Sequence, residues 1–179
     1  EDPNNIDTIA ASMGCRTALG NDRHGLGYSK IGRGNVSPCT INLPLLGIKH
    51  GICLGERDKA DLPGFWNELD EVLGLVERAL LDRFYHICHQ QLSSARFMYI
   101  NGSIADYEKA NVKGIYESMK HGTQAIGYIG IAEMCQALFG EDHTYNQKTW
   151  DFAYKVVSKI NDFVKEASER NNLNFSCYA

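Results

Sequence analysis

The chain has 179 residues, 44% of them hydrophobic and 22% charged, with a formal net charge of −4. That length supports one domain with a sizeable core, and the charge balance argues against bulk nucleic-acid binding, which needs a basic face. No apolar run reaches membrane-spanning length, and no charged-then-apolar start reads as a signal peptide.

The first apolar run predicts a short strand over Thr8 to Met13, stopping at Gly14-Cys15-Arg16-Thr17. A cysteine at a strand-to-loop junction is held by a rigid element yet can face a cavity. Glycines 20, 25, 27, 32 and 34 then make an irregular loop. Its Gly-x-Gly pairs lack the third glycine of a dinucleotide fingerprint, and no lysine followed by Ser or Thr completes a P-loop. Thr40 to Ile48 is a second apolar run, in which Pro44 predicts that the strand ends or bends, with a helix after a turn.

From Pro63 to about Leu92, apolar residues recur at three and four positions (Leu69, Val72, Leu73, Val76, Leu80, Phe84, Ile87, Leu92), one face of a long helix with Asp61 ahead of it as a start signal. Asn101 to Gly122 is polar and does not divide clearly. Gln124 to Ile129 reads as a strand, Gly130 to Phe139 as a helix stopped at Gly140. Lys148 to Arg170 reads as a second long helix that buries Trp150, Ala153, Val157, Ile160, Val164 and Ala167, and Asn174 to Tyr178 as a closing strand. Strands alternating with long helices predict an α/β fold with parallel pairing. No linker divides residues 1–179, so a single domain is expected. The chain starts at Glu1 and stops within the last predicted strand, which reads as a fragment of a longer protein.

Six cysteines stand at 15, 39, 53, 88, 135 and 177 without a C-x-x-C pair. Reduced thiols in a cytoplasmic protein, mostly in the core, are expected rather than a disulfide framework or a zinc site. Cys15 could act as a nucleophile if a base such as His24 or His50 stood beside it, or it could be an inert buried thiol. Residue chemistry alone leaves both open.

Three motifs occur together: Met13-Gly14-Cys15-Arg16-Thr17 with Gly32-Arg33-Gly34-Asn35, then Pro38-Cys39-Thr40-Ile41-Asn42-Leu43-Pro44, then Ile126-Gly127-Tyr128-Ile129-Gly130-Ile131-Ala132-Glu133. In this order they resemble the class III anaerobic ribonucleoside-triphosphate reductases, specifically the large catalytic subunit of these glycyl radical enzymes. The resemblance implies half of a ten-stranded α/β barrel with a cysteine finger loop. Cys15 would be the thiyl radical that takes a hydrogen atom from C3′ of the ribose. Met13 and Asn35 would be its pocket partners in the formate-using branch, since an amide offers two donors and an acceptor without charge. Tyr128, Gly130 and Glu133 would line the phosphate end of the substrate, at a helix start whose free N–H groups suit an anion.

The resemblance further implies a ribonucleoside triphosphate substrate, formate as reductant, an iron–sulfur S-adenosylmethionine activase and a homodimer, with no nucleic-acid or membrane partner. The glycyl radical loop, the zinc-binding C-terminal region, the N-terminal barrel half and the ATP-cone have no counterpart in the sequence. The chain alone is therefore expected to be inactive. A pyruvate formate-lyase type of glycyl radical enzyme, or a non-catalytic barrel-derived binding module, are the alternatives.

Overall fold

The longest apolar stripe in the sequence becomes the longest helix. Phe65, Leu69, Leu73, Val76, Leu80 and Phe84 are buried along α2 (Leu62–Cys88), at the spacing that keeps one helical face inward. Asp61 starts it as expected: its Oδ1 accepts the Gly64 N–H at 3.0 Å and its backbone carbonyl accepts that of Phe65. The computed structural model describes residues 11–12 and 18–179, with side chains from residue 19 onward. Of the expected strand Thr8 to Met13, only β1 (Ala11–Ser12) falls among them, and Met13 and Cys15 lie outside the described residues.

β1 pairs antiparallel with β2 (Ala18–Leu19), in the register Ala11 opposite Leu19 and Ser12 opposite Ala18. Next comes β3 (Asn35–Asn42), which begins five residues earlier than the apolar run suggested. The remainder of that run is a correction. Leu43 to Ile48 is not strand but the body of α1 (Leu43–His50), with no turn between. Asn42 caps it by accepting the Leu45 N–H at 3.2 Å, and Pro44 sits in the first turn, where its missing donor costs nothing.

A short helix α3 (Arg96–Ile100) precedes the undivided stretch, which itself holds two more, α4 (Tyr107–Lys113) and α5 (Tyr116–Met119). They close on a small core of Tyr99, Ile104, Ala110 and Ile115. β4 (Thr123–Ile129), α6 (Ile131–Phe139), α7 (Gln147–Asn171) and β5 (Asn174–Tyr178) follow. The sheet order is β3-β4-β5, parallel and alternating with helices. β4 is central, and Thr123 to Gly127 is accordingly buried throughout.

On α7, Ala153, Ile160, Val164 and Ala167 are buried as expected, but the face differs over its first turns. Phe152 and Val156 are buried, whereas Trp150 is 52% exposed. The reason is aromatic packing: the Phe152 ring sits 5.4 Å from Phe65, 5.2 Å from Trp66 and 5.1 Å from Phe139, while Trp150 stacks outside on His143.

The chain divides into two compact units. One comprises Glu1–Cys39, Glu77–Ile126 and Val164–Tyr178, the other Thr40–Val76, Gly127–Phe163 and Ala179. In the second, α1 packs on α6 at close range. A Cβ on Gly47 would lie 2.8 Å from the Met134 carbonyl oxygen and 3.2 Å from the Ala137 Cβ. Alanine is normally the better helix former by about 1 kcal/mol. Here overpacking should outweigh that gain, so Gly47→Ala should destabilise by about 1–3 kcal/mol. Urea unfolding checks the sign; a more stable alanine variant would show that the helices can separate freely.

Candidate functional site

The segment between β2 and β3 is rich in glycine and poor in apolar side chains, so it cannot hold its own shape by packing. Buried polar groups from distant parts of the first unit hold it instead. Arg33, 6% exposed, donates from Nε to the His121 carbonyl at 2.9 Å. Its Nη1 reaches the carbonyls of Gly20 at 3.1 Å, Gly27 at 3.3 Å and Ser29 at 3.0 Å. One guanidinium thus ties three points of the segment to the turn before β4.

Asp22 is buried beside it. Its Oδ2 meets His121 Nδ1 at 2.7 Å and accepts the Leu26 N–H at 3.1 Å, while Oδ1 accepts Asn174 Nδ2 at 2.7 Å. On the far side of the ring, His121 Nε2 meets Asp106 Oδ2 at 3.1 Å, and Lys109 pairs with the same oxygen at 2.7 Å. The ring thus stands between two carboxylates, one at each nitrogen.

Burial pushes the Asp22 carboxyl up, but hydrogen bonds from His121, Asn174 and Leu26 outweigh it and hold the group below the usual 3.8. Lys109 first, and His121 with it, hold Asp106 low as well. Burial pushes His24 below its usual value, against an opposing pull from Asp22, and its ring stands edge-on to His121 at 5.8 Å. His50 in the second unit bonds Glu68 at 2.6 Å and faces Asp61 at 3.6 Å. Both histidines proposed as bases thus sit in structural contacts of their own.

Asn35 is half-buried at the first position of β3 and lines a cavity of about 450 Å³ with Lys30, Arg33, Tyr99, Ser103 and Ser118 among its other walls. Gly34, just before it, accepts the Thr123 N–H at 2.9 Å, which sets the end of β3 against the start of β4. Asn35 belongs to the first unit, and Tyr128, Gly130 and Glu133 belong to the second.

Those three residues form the passage from β4 to α6. Tyr128 is half-buried and Glu133 is exposed on the first turn of the helix. Gly130 is the N-cap with φ +75°, and no side chain caps the helix, so its opening N–H groups are left to other partners. A Cβ on Gly130 would stand 2.2 Å from Pro44 Cγ in addition to the strain of that φ. A larger residue at 130 would therefore disturb packing before any ligand was involved.

The described cysteines are free, and only Cys135 is fully buried. Cys39, Cys88 and Cys177 are half-buried and Cys53 is exposed, which corrects the expectation of mostly core thiols. Burial pushes Cys88, Cys135 and Cys177 up to about 11. Among the described residues no group of three or more His, Cys, Asp or Glu could hold a metal ion, and no helix is long and apolar enough to cross a membrane. Sequence reading missed Asp22, Asp106, His121 and Asn174 altogether.

The cluster has a pH signature. Because the folded-state values of Asp22 and Asp106 are depressed, their stabilisation is present above about pH 4. It is lost as pH falls through the lower folded values. Asp22→Asn should cost about 3–5 kcal/mol at pH 7, the scale for breaking a buried pair. Urea unfolding should show this gap closing as pH drops toward 2. A gap that does not change with pH would mean Asp22 carries no charge-dependent stabilisation.

The family model for anaerobic ribonucleoside-triphosphate reductase matches residues 1–179. The anaerobic ribonucleoside-triphosphate reductase of Salmonella typhimurium is 30% identical over 171 residues, covering 93% of this chain and 23% of that protein. The phage T4 enzyme of the same name is 27% identical over 172 residues, covering 93% of this chain and 26% of its own length. The crystal structure of the anaerobic ribonucleotide reductase from Thermotoga maritima with glycerol in the active site superposes with a TM-score of 0.62 at 18% identity, over 85% of this chain and 22% of that one. The chain thus spans about a quarter of the length of the relatives it matches. With a family model matched from the first residue to the last and a fold shared with a solved reductase, the chain belongs to the anaerobic ribonucleoside-triphosphate reductase family.

Proposed function

We propose that this chain is the cysteine-bearing part of an anaerobic ribonucleoside-triphosphate reductase, one domain piece from the C-terminal half of a ten-stranded α/β barrel of the glycyl radical type. The observation that carries the reading is the β1–β2 pairing. Ser12 lies opposite Ala18, so the two paired strands are joined by residues 13–17, with Cys15 the middle one of the five. A paired hairpin is a rigid mount for a reacting atom, and hydrogen-atom transfer depends on a fixed sulfur-to-carbon distance more than on an ionised thiol.

On this reading Cys15 exchanges a hydrogen atom with C3′ of the ribose: the S–H bond forms as the C3′–H bond breaks, and the reverse closes the cycle. A glycyl radical elsewhere in the parent protein, generated by an iron–sulfur S-adenosylmethionine activase, takes the hydrogen of the Cys15 S–H bond and is restored when the cycle closes, and formate supplies the two reducing equivalents. Asn35 orients ribose or formate through its amide, with Met13 as the second pocket partner of Cys15. The backbone N–H groups that open α6, with Tyr128 and Glu133 beside them, receive the phosphate end of the nucleotide. A Thermotoga maritima structure in complex with dATP and CTP supports a nucleotide as ligand. The radical glycine, zinc and the ATP-cone are assigned to other parts of a homodimeric, cytoplasmic parent, and this chain alone is inactive.

Cys15→Ser in the full-length parent tests the reading. A hydroxyl is nearly isosteric with the thiol, but its O–H bond is too strong for reversible hydrogen-atom exchange with the ribose. After activation the glycyl radical signal should form at its normal yield by electron paramagnetic resonance, with no deoxynucleotide product. Substantial turnover in the serine variant would take Cys15 out of the mechanism.

A further inference from the structure

We propose that Asp22, His121 and Asp106 form a buried positioning relay that fixes the cysteine hairpin for turnover. The proposal rests on the functional reading of Cys15 above. Asp22 lies three residues past β2, the strand that closes the hairpin. Through its carboxylate the hairpin's outgoing arm is fastened to His121 at 2.7 Å, two residues before β4, and to Asn174 at 2.7 Å, the first residue of β5. The backbone is tied in as well, since Arg23 N–H donates to Asn174 Oδ1 at 3.0 Å and Asn174 Nδ2 donates to the Lys120 carbonyl at 3.2 Å. Asp106 then braces the opposite edge of the imidazole from a left-handed backbone position, φ +52°.

Three features separate positioning from plain stabilisation. Burying ionised groups costs so much desolvation that apolar packing of the same volume is often the more stabilising choice. The side chains of Asp22 and His121 are 0% and 1% exposed, so the Asp22 carboxylate carries that cost. Its bonds are directional and span sequence separations of 15, 99 and 152 residues, which defines relative placement as apolar contact does not. Its members converge on Asp22, three residues past the strand that leaves the Cys15 segment, and a displacement of about 1 Å at a reacting atom can cost about 100-fold in rate. The charged groups around the ring are Asp22, Asp106 and Lys109, with His24 edge-on and Arg33 on the His121 carbonyl, and none of them is assigned to substrate.

The test uses the activated full-length parent. Asp22→Asn and His121→Gln are compared with Leu80→Ala, a buried apolar truncation on α2 that destabilises without touching the relay. Melting temperature, glycyl radical yield, KM and kcat are measured for each. The relay variants should store the radical normally and keep their KM while kcat falls about 100-fold, and Leu80→Ala should keep its kcat despite a lower melting temperature. Equal kcat in relay variants and control overturns the proposal. If the two relay variants do not fold, Lys109→Met decides, because the Lys109 side chain is 56% exposed and its loss loosens only Asp106. A lowered kcat at unchanged KM and radical yield then supports the relay, and an unchanged kcat overturns it. Cys15→Ser run alongside keeps the two ideas apart. An active serine variant defeats the functional reading itself, whereas an inactive one beside control-like relay variants defeats only the relay.

Discussion

The contact between the Asp22 carboxylate and the His121 ring, 2.7 Å long and almost wholly buried, holds the glycine-rich segment of the first unit in one conformation. Taking the Asp22 carboxylate out of water costs several kcal/mol, which its hydrogen bonds must first offset, so the contact contributes little net stability. What it contributes is geometry. Remove His121 and the buried carboxylate loses one of its three partners, while the segment from Gly20 to Ser29 is left to the bonds from Arg33 and Asn174.

The second unit holds its candidate residues by different means. There the passage from β4 to α6 is set by close packing, with Gly130 against Pro44 and Gly47 against Met134. Pro44 has two jobs: it is tolerated in the first turn of α1 because that turn needs no donor, and its ring presses on Gly130. The helix start proposed to meet phosphate is thereby fixed by a proline and a glycine rather than by charged side chains. This also explains why Gly130 is a poor place to probe ligand binding by substitution.

The two long helices were legible because Leu69, Leu73, Val76, Leu80 and Phe84 repeat the helical period over many turns. The boundary between β3 and α1 was not, since Thr40 to Ile48 is apolar on both sides of it. Asn42 followed by Pro44 was an available cap signal, and it was read as a strand ending. On α7, Trp150 was assigned inward on hydrophobicity, but the aromatic cluster around Phe152 turned the helix slightly the other way. For the candidate site, the motifs around Cys15, Asn35 and Tyr128 carried a family likeness that the match over residues 1–179 bears out. Nothing local joins Asp22, Asp106, His121 and Asn174 to one another, because the bonds between them span 15 to 152 residues and no spacing rule reaches that far.

The central claim is that this hairpin delivers a cysteine sulfur to a ribose. A crystal structure of the full-length parent with a ribonucleoside triphosphate bound tests it most directly. The account predicts Cys15 Sγ within about 3–3.5 Å of C3′, the separation of a near-attack arrangement, with the Asp22–His121 contact intact. A bound ribose whose C3′ faces another residue, with Cys15 turned away from it, would contradict the account.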